Sequence, residues 1–205
     1  MAPKFKVSRE EILEAAYALL RDNGSDAVTT RAIGEKLGVS CRPIYSFFPS
    51  METLRADLVV TCMQALHEYT HRQFTKNSFL NQGVGYIWFY RELPNVADFL
   101  ERNCSASMLE SVESQLFEEF LAVSKGNPEL AGITHEEFEG VYTKLSVFTS
   151  GLVMYVRMNW VEFSLEDVIE LLKSTGEALF MQLLSKKENT AIGPGQRARG
   201  PKEEI

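Results

Sequence analysis

Two short stretches of this 205-residue chain hold side chains whose types and spacing suit chemistry. In Ser40-Cys41-Arg42-Pro43-Ile44-Tyr45, a thiol, a forked cation and a phenol fall at the start of a short helix. Arg42 can grip guanine O6 and N7 with two parallel hydrogen bonds, an arrangement giving about 1–3 kcal/mol of base discrimination. Pro43 has no donor and offers only an apolar contact, such as one to a thymine methyl. The second stretch, His67-Glu68-Tyr69-Thr70-His71, spells H-E-x-x-H, with two histidines one turn apart and a glutamate base, the spacing of a zinc hydrolase. A catalytic zinc needs a third protein ligand and an open position. The remaining histidine, His135, belongs to no extended motif, and Glu92 stands beside Leu93-Pro94 without a supporting pattern. Zinc hydrolysis through His67, Glu68 and His71 is therefore the alternative reading. The first reading is a protein that is not an enzyme and has no cofactor, metal or catalytic residue.

The elements that must position Arg42 are legible around it. Thr29 or Thr30 can cap a helix, because a hydroxyl accepts from the unpaired amides of a first turn. Ile33 and Leu37, four apart, make one apolar stripe, and Gly38 lets the chain leave the helix with positive φ. Ser40 can cap the next helix, which runs to Phe48, and Pro49-Ser50 ends it. Two crossed helices joined by a glycine-containing turn form the layout of a DNA-reading helix-turn-helix. Phe47 and Phe48 read as core residues that tie the second helix to its scaffold.

These residues resemble the tetracycline-repressor (TetR) family of one-component bacterial regulators. The resemblance rests on Thr30, Ile33-Gly34, Gly38-Val39-Ser40, Ile44-Tyr45, Phe47-Phe48 and Ser50-Met51-Glu52-Thr53-Leu54. The preceding helix, with Ile12-Leu13, Ala16 and Leu19-Leu20 ending at Asn23-Gly24, fits as well. The chain departs from the family at Arg42-Pro43, where small residues are usual, at Met51, where lysine is common, and at Gly34, where alanine is commoner. Proline at Pro43 is tolerated because first-turn amides have no intrahelical partner to lose.

The resemblance implies a dimer that binds a palindromic double-stranded operator, most often as a repressor, and releases it when a small molecule binds. Tyr45 then takes the family's tyrosine position as a phosphate contact. Thr30 and the adjacent helix start suit phosphate. Arg31 can reach phosphate or base, Ser40 and Cys41 lie at the reading end, and Lys4 and Lys6 form an arm for phosphate or the minor groove. A further reading treats Cys41 as a redox sensor beside the DNA, since helix N-termini favour the thiolate.

Composition agrees with a localised DNA contact. The formal net charge is −7, but residues 1–50 hold 7 basic and 6 acidic side chains, a balance of +1. Residues 51–205 hold 14 and 22, a balance of −8. A basic reading end on an acidic body is compatible with steering to DNA at one face. Cys41, Cys62 and Cys104 have neither disulfide-framework nor zinc-ribbon spacing, so reduced thiols in a cytoplasmic protein are expected. No signal core and no apolar run of about 18 residues is present.

The rest of the chain reads as helix, without alternating strand patterns. The expected organisation is all-α: a helix-turn-helix domain at 1–50, a helical sensing and dimerisation domain at 51–185, and a disordered polar tail at 186–205. Ser8 with Glu11 reads as a capping box, as does Ser164 with Asp167. A fourth helix is expected from about Ser50 to Lys76, and others near 79–91, 95–101, 105–124, 134–160 and 164–185. The last two are apolar over much of their circumference, which demands cover on more than one side. The resemblance supplies that cover, by implying a four-helix homodimer interface. It also implies an effector pocket, for which Met63, Tyr86, Trp88, Phe89, Met108, Phe117, Phe148 and Tyr155 are the candidates. Aromatic and methionine linings suit flat or greasy ligands, although the same residues at helical spacing also read as ordinary core.

Overall fold

The computed structural model describes residues 7–191. Lys4, Lys6 and the tail from residue 192 onward lie outside the described residues. Nine α-helices are present among those described, with no strand: α1 (Arg9–Asn23), α2 (Thr30–Leu37), α3 (Cys41–Phe47), α4 (Met51–Thr70), α5 (Ser78–Glu92), α6 (Pro94–Asn103), α7 (Ala106–Lys125), α8 (His135–Arg157) and α9 (Leu165–Ala191).

Local sequence sets many of the ends. Ser8 Oγ accepts from Glu11 N at 3.1 Å while Glu11 Oε2 accepts from Ser8 N at 2.7 Å, the reciprocal cap expected for α1. The same exchange between Ser164 and Asp167 opens α9. α8 stops at Arg157 rather than Trp160, because Asn159 adopts the left-handed region at φ 50°. Asparagine tolerates that conformation better than most residues, and it turns the chain out of the helix.

α4 ends at Thr70, six residues before the expected Lys76. The cause is tertiary. Asn81, buried on α5, accepts from Phe74 N at 3.2 Å and Thr75 N at 2.7 Å, and donates to Thr75 O at 3.1 Å. It thereby satisfies backbone groups that a continued helix would have paired internally. α5 then crosses the last turn of α4 at backbone contact: a Cβ on Gly85 would fall 1.9 Å from Tyr69 O.

The principal core joins α1, α2, α3, α4, α5 and α6. Ile12, Leu20, Ile33, Ile44, Leu54 and Leu58 are fully buried in it, and the same cluster continues to Phe89, Val96 and Phe99. Asn95, at the start of α6, donates from Nδ2 to Arg21 O at 2.9 Å, so the end of α1 is tied to α6 directly. Two further clusters pack α8 and α9 against α5 and α7, one around Val84, Leu152 and Val168 and the other around Phe120, Phe138 and Leu145. α9 runs past the expected Ser185 to Ala191. Lys187 reaches across to Glu137 Oε2 at 2.7 Å and to Gly132 O, fastening this segment to the start of α8. No helix of the described residues is long and apolar enough to cross a membrane.

Candidate nucleic-acid interface

Local backbone geometry sets α2 and its turn into α3. Thr29, not Thr30, caps α2, its Oγ1 accepting from Ala32 N at 3.1 Å. Gly38 ends α2 in the left-handed conformation, φ 67° and ψ 28°. Val39 N then donates to Gly34 O at 2.9 Å. A Cβ on Gly34 would sit 2.8 Å from Val39 O, so the close crossing of α2 and the turn fits glycine at this position. Ser40 occupies the cap position of α3 but makes no side-chain cap bond, contrary to the capping role expected of it.

With that turn set, α3 divides into two faces. Ile44 and the following Phe48 are buried against α1 and α4. Arg42, Tyr45 and Ser46 point outward, with Tyr45 50% exposed. Phe47 is also outward at 42% exposure, so it is not the core residue expected. The chain leaves the helix at Phe48, whose extended backbone (φ −125°, ψ 96°) turns that ring into the core and leaves Phe47 on the outer side.

The expected DNA-contact residues are placed as follows. Thr30 Oγ1 and Tyr45 Oη lie 3.4 Å apart, so the first turn of α2 and the outer face of α3 meet through hydroxyls. Arg42 is exposed, and its guanidinium has no hydrogen-bond or ion-pair partner among the described residues. Arg31 is highly exposed but paired through Nε with Glu35 Oε1 at 2.9 Å. Any contact it makes with a phosphate must compete with that carboxylate. Cys41 and Pro43 are half-buried in the first turn of α3, and the Cys41 thiol is free.

Behind these helices the residues of the zinc motif form a structural bridge. His71 is the cap residue after α4, with Nδ1 2.8 Å from His67 O and Nε2 3.1 Å from Glu119 Oε2. Both of its ring nitrogens are thus engaged, and it stacks on His67 with ring centroids 3.9 Å apart. Glu68 faces solvent, and Glu92 instead accepts from Tyr69 Oη at 2.6 Å. No group of three or more potential ligands is arranged to hold a metal among the described residues. Glu119 also accepts from Gln82 at 2.7 Å and Gln115 at 3.0 Å. Burial alone would raise its carboxyl, but Gln115, His71 and Gln82 outweigh burial and hold it below the ordinary carboxylate value.

A cavity of about 370 Å³ opens between α4, α5, α6, α7, α8 and α9. Met63, Tyr86 and Phe89, three of the residues singled out for a pocket, line it. The other five do not. Trp88 stacks under Arg91, Met108 packs on the principal core, and Phe117 packs among Phe120, His135 and Tyr142. Phe148 joins the cluster around Leu152, and Tyr155 lies edge-on to Trp160 at the surface. The lining also holds Tyr90, Tyr142, Gln82, Glu101 and Glu113, none of them among the pocket candidates read from sequence. Glu113 was legible: it interrupts the apolar stripe Leu109, Leu116 and Phe120 at spacings of four, three and four, where an apolar residue belongs.

Comparison with known proteins agrees with this architecture. Residues 12–58 match the family described as bacterial regulatory proteins, tetR family. The tetracycline repressor protein class D of Escherichia coli is 31% identical over 65 residues, 32% of this chain and 30% of that protein. The class H repressor of Photobacterium damsela subsp. piscicida matches to the same extent. The chain thus aligns with about a third of the length of these repressors. A TetR-like transcriptional regulator from Rhodococcus sp. RHA1 superposes with a TM-score of 0.58 at 17% identity, covering 83% of this chain and 96% of that one. A putative TetR family regulator from Vibrio parahaemolyticus gives 0.55 at 15%, covering 83% and 97%. At those identities the likeness concerns the fold. The N-terminal segment is thus similar to the tetR family of bacterial regulatory proteins, and the all-helical fold is shared with the two TetR-like structures.

Proposed function

We propose that this protein is a transcriptional regulator, acting as a repressor, that binds a palindromic operator as a homodimer and is released by a small molecule. The observation that carries the DNA reading is the outer face of α3: an unpartnered Arg42 guanidinium beside a Tyr45–Thr30 hydroxyl pair, held by buried Ile44 and Phe48. In this reading residues 1–50 carry the DNA contacts and residues 51–185 carry sensing and dimerisation. Arg42 reads a base, while Tyr45, Thr30 and Arg31 contact phosphate. Ser40, Cys41 and Pro43 flank them, and Lys4 and Lys6 add backbone contacts.

The dimer proposal is supported by apolar surface on α8. Val147 and Met154 on α8 and Met158 just beyond its end are 69%, 52% and 46% exposed, at spacings of seven and four. Gly151 lies on the same stripe with open space where a Cβ would be. Met181 of α9 is 67% exposed as well. Pairing α8 and α9 with their symmetry mates would cover this surface and set two α3 helices for two half-sites. Selection of bound duplexes from a randomised pool by the purified protein tests the proposal. Enrichment of an inverted repeat is expected; a pool that stays unenriched would contradict it.

A further inference from the structure

The cavity is apolar and aromatic over most of its wall, but the charges around it share one sign. Glu101 and Glu113 both line it, and no lysine or arginine does. Glu101 is already engaged, since Arg157 Nη1 donates to both of its oxygens at 2.8 and 3.0 Å. Arg157 also holds Asp98, so that trio carries one net negative charge, and its guanidinium lies 5.6 Å over the Tyr90 ring. Glu113 is different. It sits on the exposed side of α7 at the cavity and has no hydrogen-bond or ion-pair partner among the described residues. Burial chiefly, with Glu113 and other carboxylates adding to it, raises the phenols of Tyr86 and Tyr142, the latter to about 12. Both phenols therefore stay neutral, and their rings offer electron-rich faces.

Resting on the effector reading above, we propose that this cavity selects a flat aromatic cation. Its apolar body would lie against Phe79, Tyr86 and Phe89, and its positive nitrogen toward Glu113 and the ring of Tyr142. A neutral ligand of the same shape could fill the apolar wall, but it would offer the Glu113 carboxylate no counter-charge. An anion would meet unpartnered carboxylate and no cation in the lining. A cation answers both the charge and the aromatic faces. The volume falls within the range of about 300–1,000 Å³ usual for small-molecule sites.

Three acridines of one shape and different charge separate these cases: N-methylacridinium, acridone and acridine-9-carboxylate. Binding of each to the full-length protein is read by fluorescence titration, beside DNA binding by anisotropy. N-methylacridinium is expected to bind about tenfold tighter than acridone, with no saturable binding of the carboxylate. Glu113→Gln should weaken the cation about tenfold and leave acridone unchanged. Glu118→Gln, on the same helix but outside the cavity lining, should alter neither. Equal binding of cation and neutral probe, or an unchanged cation affinity in Glu113→Gln, would overturn the charge assignment while leaving the cavity as an effector site. Absence of saturable binding by all three probes would overturn the effector reading along with it.

Discussion

Tyr45 Oη stands 3.4 Å from Thr30 Oγ1, bringing the outer face of α3 to the first turn of α2. The pair gathers two neutral hydroxyls and the exposed amides of a helix start at one place, a combination suited to a phosphate oxygen. Tyr45→Phe should therefore weaken binding to operator and to unrelated duplex by the same factor, since a backbone contact carries no base identity. A phenol releases no counterion, so the dependence of affinity on salt should stay as it is in the wild type. Anisotropy titrations on both duplexes at several salt concentrations check this. A loss confined to the operator would move Tyr45 from anchoring to base reading.

The backbone contact between α4 and α5 is expected to be intolerant of any side chain. Gly85→Ala would drive a methyl to 1.9 Å from Tyr69 O, a backbone atom that cannot rotate away. The cost should reach at least the roughly 1–3 kcal/mol typical of overpacking. Thermal unfolding followed by circular dichroism measures it, and a melting temperature equal to that of the wild type would show that the helices can part freely.

Much of α1, α2 and α3 was legible because its signals are local. Ser8 with Glu11, Thr29, Gly38 and the Ile33–Leu37 pair each act within four residues, so sequence spacing states their chemistry. The early end of α4 was not legible, because it depends on Asn81 folding back from α5 onto residues 74 and 75. The site was readable to different depths for the same reason. Arg42 and Tyr45 follow from the phase of one short helix, and Phe47 was misplaced because the helix ends there and the extended Phe48 takes the core position. A cavity among six helices depends on how aromatic stripes rotate against each other. Met63, Tyr86 and Phe89 therefore reached it, while Trp88, two positions from Tyr86, turned to Phe74 and Arg91.

Glu119 should make stability depend on acid. Its carboxyl is held below the ordinary value of 4.5 in the folded protein, so the carboxylate stabilises the fold above that pH. The contribution is lost as pH falls through the lower folded value. Glu119→Gln should therefore destabilise the protein near neutrality by about 1 kcal/mol, from weakened charge-assisted hydrogen bonds. The gap from wild type should close as pH falls well below 4.5. Urea unfolding across that range supplies the comparison, and a gap that widens in acid would contradict the linkage.

The apolar stripe on α8 should govern assembly. Val147→Lys combined with Met154→Lys places two charges where a symmetry mate is proposed to pack, which unpaired burial would penalise heavily. Sedimentation at micromolar concentration should show dimer for the wild type and monomer for the double variant, with helical content retained. Unchanged sedimentation would place the interface elsewhere.

The most direct test of the central claim, that α3 reads DNA through Arg42, is competition binding with single-base operator variants for wild type and Arg42→Ala. Arg42→Ala should lose about 1–3 kcal/mol on the operator, and its preference should flatten at one position in each half-site while every other position keeps its ranking. If Arg42→Ala retains the full pattern of base preference, Arg42 is not the reader, and α3 does not address DNA in the way its outer face indicates.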